Sequence, residues 1–141
     1  MCIGDNIIKQ VSDSYRKLRN TLRYLIGSLN DFEPSTDLIE VSQLASVDRY
    51  MLGKLSKTVA EVEQGYDTHQ FYRANQALTS FANADLSAFY LDMAKDRLYI
   101  SDKDNIRRRT CQSVLYYMLE QLSALMAPIV RIFLIPTVHS L

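Results

Sequence analysis

The spacing of apolar residues over the first thirty positions constrains this chain more than any other feature. Ile7, Ile8, Val11, Tyr15, Leu18, Leu22, Leu25, Ile26 and Leu29 recur at threes and fours. At roughly 100° per residue they cover about a third of a helix circumference, the width of a core-facing stripe. A helix carrying such a stripe is not stable alone, so the rest of the chain has to supply its partner surface. The spacing predicts a helix over 5–29, with Asp5 as N-cap and Asn30-Asp31 closing it.

Three later segments repeat the pattern. A helix is expected from a Ser46 cap to about Tyr66, with Tyr50, Met51, Leu55, Val59 and Val62 inward. A third helical region covers 69–99, marked by Phe71, Leu78, Phe81, Leu86, Tyr90 and Met93, with an irregularity near Asn83-Ala84-Asp85. After the polar turn at 101–104, a fourth helix carries Val114, Met118, Leu122 and Leu125 until Pro128 stops it. Residues 32–45 read as an ordered surface crossover. With only 4 Gly and 3 Pro in 141 residues, the expected fold is all-α: an antiparallel bundle of about four helices. The bundle is expected to occupy 1–129, leaving 130–141 as a separate tail.

Several function classes drop out. Cys2 and Cys111 make no disulfide framework and no C-x-x-C pair, which points to a reducing, cytoplasmic setting. No signal peptide opens the sequence. The apolar tract at 129–138 is broken by Arg131 and Pro136 and falls short of the roughly 20 residues a membrane helix needs. The net charge is zero but unevenly placed: residues 1–30 hold five basic and two acidic side chains, residues 31–69 three and eight. A local anionic partner fits that asymmetry.

Catalytic signatures are missing. His69 and His139 stand far apart without helical partners at metal spacing, and no P-loop, Rossmann or G-x-S-x-G pattern occurs. The run Gly53-Lys54-Leu55-Ser56-Lys57-Thr58 has the look of a phosphate-binding loop, but it lies inside a predicted helix with Leu55 inward. Asp85, Asp92 and Asp96 share a helix face, yet a di-metal bundle also needs Glu-x-x-His pairs. No metal site and no catalytic residue is therefore assigned. A hairpin would bring Arg107, Arg108 and Arg109 to Asp92 and Asp96 as structural ion pairs. Arg97 falls amid Leu86, Tyr90, Met93 and Ala94, so it should be partly buried against a structural partner.

One constellation is left. Lys9, Arg16, Arg19 and Arg23 fall within about 80° of one another on the helix wheel, opposite the apolar stripe, with Ser12 and Asn20 among them. A positive ridge with amide and hydroxyl donors suits a phosphate backbone. A merely solvated basic face is the bland alternative.

The run Asp85-Leu86-Ser87-Ala88-Phe89-Tyr90-Leu91-Asp92, then Lys95-Asp96-Arg97-Leu98-Tyr99, resembles the signature helix of isoleucyl-tRNA synthetase anticodon-binding domains. So does Tyr15 to Leu25 (YRKLRNTLRYL) followed by Leu29-Asn30-Asp31-Phe32. Further matches are Leu52 to Tyr66, Arg107-Arg108-Arg109 and Met126-Ala127-Pro128-Ile129, which together cover roughly residues 3–129 in family order. The resemblance implies a helical domain packed along the anticodon stem and loop of a tRNA for isoleucine. On that reading the ridge residues Arg16, Arg19, Asn20 and Arg23 are the candidate tRNA contacts, with Lys9 extending the ridge.

The same resemblance implies partners in cis, the catalytic and editing domains of a synthetase, and ATP as a substrate of the complete enzyme only. The H-I-G-H and K-M-S-K-S motifs have no counterpart here, so the chain reads as a piece without catalysis or cofactor of its own. After Ile129 the family pattern gives way to Val-Arg-Ile-Phe-Leu-Ile-Pro-Thr-Val-His-Ser-Leu, an apolar, β-prone tail. The competing reading is a helical bundle with a structural or protein-interaction role and no RNA binding of its own.

Overall fold

The computed structural model describes residues 4–138, and the side chains of residues 4–128. All regular structure among them is helical. The order is α1 (Asp5–Ser28), a short α2 (Pro34–Asp37), a 3-10 turn (Val41–Gln43), α3 (Ser46–Asp67), α4 (Phe71–Ser80), a π-helical segment (Phe81–Leu91), α5 (Asp92–Tyr99) and α6 (Ile106–Val138). The π segment joins α4 and α5 into one long rod. The architecture is the expected all-α bundle of four long elements.

Hydrogen bonds and ion pairs across the bundle fix its topology. Gln112 near the start of α6 donates to the Ser28 carbonyl at the end of α1. Tyr66 near the end of α3 donates to the Leu125 carbonyl far along α6, and Asp48 at the start of α3 meets Arg97 at the end of the rod. The four elements thus alternate up, down, up, down. α1 packs on α6 and the π segment, while α3 packs on α4 and α6. The crossover from α1 to α3 therefore stays at one end of the bundle and passes over the start of α6.

The core is filled by Leu18, Leu22, Leu25, Met51, Leu55, Val62, Leu78, Phe81, Leu86, Tyr90, Val114, Leu115, Met118 and Leu122, all buried. The expected irregularity near residue 83 is the π segment. Hydrogen bonding from i to i+5 there aligns Phe81, Leu86 and Leu91 on one face, and all three are buried. A regular α-helix would turn those residues, five apart, out of register with the core.

The structure revises several expectations. Gly4 is the N-cap of α1 and makes no side-chain cap bond, so Asp5 is the first helical residue. Ala45 takes the cap position of α3, and Ser46 is likewise already helical. The apolar stripe of α1 is buried only from Leu18 onward, and Ile7, Ile8 and Val11 are 51–61% exposed. Tyr50, Phe71 and Met93 also face solvent. Pro128 does not stop α6, whose backbone stays helical to Val138. A proline removes one ladder bond and crowds the carbonyl four residues back. Next to that carbonyl, the Leu125 oxygen accepts from Tyr66 Oη at 2.7 Å. The tail is helical, not β, up to Val138, and its last three residues lie outside the described residues.

Candidate functional site

Helix α1 turns its apolar face to α6 and the π segment, and this leaves the rest of its surface in water. Lys9, Arg16, Arg19, Asn20 and Arg23 are all exposed there, as the helical spacing required. Arg16 lies 3.7 Å from Asp13 with 70% of its side chain still accessible. Among the described residues, no acidic side chain pairs with Lys9, Arg19 or Arg23. The ridge therefore presents uncommitted N–H donors over about two turns from Arg16 to Arg23.

The other arginines named from the sequence are, with one exception, committed to the fold. Arg97 does have a structural partner: Nη1 donates to Asp48 Oδ1 at 2.9 Å and Oδ2 at 3.0 Å. Asp48 is fully buried and also accepts from Tyr90 Oη at 2.8 Å. Burial disfavours the Arg97 charge, but Asp48 outweighs it and raises the guanidinium above its ordinary range. The Tyr90 phenol is pushed up by burial, and further by Cys111 and Asp48. Cys111 lies 3.9 Å from that phenol, and burial lifts its thiol to about 11.

The triplet opening α6 does not pair with Asp92 and Asp96. Arg108 Nη2 instead holds both oxygens of Asp31, at 2.9 and 3.0 Å, and its Nη1 donates to the Leu98 carbonyl. Arg109 pairs with Asp37 at 3.2 Å and donates to the Asp31 carbonyl. Gln112 adds a bond to Asp31 Oδ1, and the Ile39 N–H donates to Ser113 Oγ. These bonds clasp the crossover onto α6. Burial works against the Asp31 carboxylate, yet hydrogen bonds from Arg108 and Gln112 prevail and hold it below its ordinary range. The crossover passing over α6 puts Asp31 and Asp37 nearer the triplet than the hairpin brings Asp92 and Asp96. Arg107 is the exception and stays exposed, Asp92 pairs with Lys95 on its own helix at 3.2 Å, and Asp96 is exposed.

Asp85 faces Lys54 of α3 at 3.8 Å, so the three aspartates gather no shared ligand. Among the described residues, no three His, Cys, Asp or Glu side chains stand where they could hold a metal ion. The Gly53–Thr58 run lies within α3 as a regular helix. Sequence reasoning missed Asp48, and the signal available was indirect: a guanidinium placed among apolar residues demands a carboxylate.

Comparison with known proteins puts this geometry in context. The family model described as the anticodon-binding domain of tRNA ligase matches residues 48–130. The isoleucine–tRNA ligase of Gloeobacter violaceus is 50% identical over 127 residues, 90% of this chain and 13% of that protein. That of Cyanothece sp. is 48% identical over 128 residues, 91% of this chain and 13% of its own length. The isoleucine–tRNA ligase of Desulfotalea psychrophila is 47% identical over 127 residues, covering 90% and 14%. The chain thus spans about an eighth of the length of these relatives.

Proposed function

The chain belongs to the family of anticodon-binding domains of tRNA ligases, and from that premise we propose that it binds the anticodon stem-loop of a tRNA for isoleucine. The observation that carries this reading is a division of labour among the arginines. Arg97, Arg108 and Arg109 are engaged by Asp48, Asp31 and Asp37, whereas Arg16, Arg19 and Arg23 are left facing solvent beside Lys9 and Asn20. Guanidinium groups on a rigid helix, spaced at one turn, fit successive phosphates of a nucleic-acid backbone. In a complete ligase the activity served is ATP-dependent attachment of isoleucine to that tRNA, with the catalytic and editing domains as neighbours in the same chain. ATP is a substrate of those domains, and this chain takes no cofactor. A cytoplasmic setting goes with that role, and among the described residues no helix is long and apolar enough to cross a membrane.

Fluorescence anisotropy with an isoleucine-tRNA anticodon stem-loop tests the reading. Arg16→Glu with Arg23→Glu should weaken binding at least tenfold, and the salt dependence should flatten by about 0.7–0.9 in logarithmic slope for each phosphate no longer neutralised. Equal affinity of wild type and variant would remove the ridge from recognition. It would favour a bundle with a structural or protein-binding role.

A further inference from the structure

The triplet that opens α6 leaves one side chain over. Arg108 and Arg109 hold Asp31 and Asp37, whereas no acidic group among the described residues pairs with Arg107. The Arg107 backbone is nonetheless fixed on both sides. Its N–H donates to Asn105 Oδ1 at 2.9 Å, and its carbonyl accepts from Thr110 Oγ1 at 2.9 Å. From this fixed root the residue lines a cavity of about 450 Å³ at the crossover end of the bundle.

A second guanidinium lines the same cavity, that of Arg97 at the end of the rod. Its Nη1 is engaged by the two oxygens of Asp48, and 25% of the side chain stays accessible. Among the described residues nothing else accepts from this group, so its remaining N–H donors are open to a ligand. Asp48 itself lies behind it with no exposure to solvent. Gln43 of the 3-10 turn adds an amide, Leu44, Ala45 and Ile106 add apolar wall, and no carboxylate lines the space. Asp48 cancels one of the two positive charges, which leaves the cavity with a single net one. One carboxylate balances that charge, whereas a phosphate dianion would exceed it.

We propose that this cavity receives the carboxylate of a glutamate side chain on an acidic protein segment that docks at this end of the bundle. The planar fork of a guanidinium matches the two oxygens of a carboxylate. Arg97 is already oriented by a buried acid, so little freedom is lost when a ligand arrives. A water molecule occupies about 30 Å³ of liquid, so the cavity has room for more than a bare anion, and its apolar wall suits the aliphatic stem of glutamate. Val41, in the same 3-10 turn as Gln43, is 47% exposed and Ile106 is 61% exposed, which offers apolar contact to the residues flanking that glutamate. The inference does not rest on the RNA-binding reading, because none of the α1 ridge residues lines the cavity.

The probe is glutamate capped at both ends, N-acetyl-glutamate N-methylamide, with the capped glutamine of the same shape as its neutral control. Each is titrated into the ¹⁵N-labelled full chain at constant ionic strength. Capped glutamate should shift the Nε–H resonances of Arg97 and Arg107 and the side-chain NH2 of Gln43 along a saturable curve, and capped glutamine should leave them in place. The Arg107 side chain is exposed and makes no bond to the fold, so Arg107→Gln should keep the wild-type melting curve. It should weaken the response read at Arg97 about tenfold and bind the anticodon stem-loop as wild type does. The proposal fails if capped glutamine shifts the same resonances, or if Arg107→Gln responds like wild type. It fails equally if Arg16, Arg19 and Arg23 respond to capped glutamate as strongly as Arg97 and Arg107, which would mark general ion pairing at any arginine. Loss of stem-loop affinity in Arg107→Gln, with no response to capped glutamate, would overturn it in favour of an RNA contact.

Discussion

A single nitrogen of Arg97, Nη1, reaches both oxygens of Asp48, a carboxylate with no exposure to solvent, from 49 residues further along the chain. The pair joins the start of α3 to the end of the rod, and Tyr90 completes the hydrogen bonding of the buried acid. Removing one partner strands the other. Arg97→Ala should cost about 3–5 kcal/mol in urea unfolding, because an unpaired charge is then left inside. Asp48→Leu with Arg97→Met should recover most of that loss, and a double variant no more stable than Arg97→Ala would overturn the account.

The clasp at Asp31 makes stability depend on acid. Its folded-state pKa lies below the ordinary carboxylate value, so between the two values the unfolded chain binds the extra proton. The contribution is complete above the unfolded value of about 3.9 and is lost as pH falls through the folded value. Asp31→Asn should be less stable than wild type at pH 7 and should approach it as the pH drops below about 4. A gap that stays constant from pH 7 to pH 3 would show that the Asp31 charge plays no part.

Cys111 should be chemically silent in the folded protein. Its thiol is buried and raised to about 11, and the thiolate is the reactive form. In a Cys2→Ser background, a thiol reagent at pH 8 should label Cys111 only at the rate of unfolding. Fast labelling in native buffer would contradict the buried placement.

Three glycines inside helices should respond differently to alanine. A Cβ on Gly27 or Gly53 meets nothing within 4 Å, whereas one on Gly65 meets the Cβ and backbone nitrogen of Ala74 at 3.0 Å. Gly27→Ala and Gly53→Ala should each stabilise by about 0.5–1 kcal/mol through helix propensity. Gly65→Ala should gain nothing or lose about 1–2 kcal/mol, since backbone cannot move aside as a flexible side chain would. Thermal melts of the three variants decide it.

The sequence displayed helix faces more clearly than helix neighbours. The period of the α1 stripe fixes which side of the helix is apolar, but it cannot say which of its turns meet a neighbour, so Ile7, Ile8 and Val11 share the phase of Leu18 and Leu22 without their burial. The same limit applies to Tyr50 and Phe71. The basic ridge was legible because it needs only the helix itself. The ion pairs were not, because proximity along a hairpin suggested Asp92 and Asp96, while the route of the crossover brought Asp31 and Asp37. The irregularity expected near Asn83-Ala84-Asp85 falls inside the π segment, Phe81–Leu91.

The clasp also sets an order of events during folding. Asp31 and Arg108 are 77 residues apart, and Ser28 and Gln112 are 84 apart, whereas α3 and α4 are joined by a short turn. Local pairing costs little entropy and long loop closure costs more. The α3–α4 hairpin can therefore assemble early, while α1 has no α6 to lie against until most of the chain has been made. On a ribosome α1, made before the helices it packs on, would be the last element of the bundle to find its place. Through that interval its apolar stripe stays open to chaperones and to misassociation.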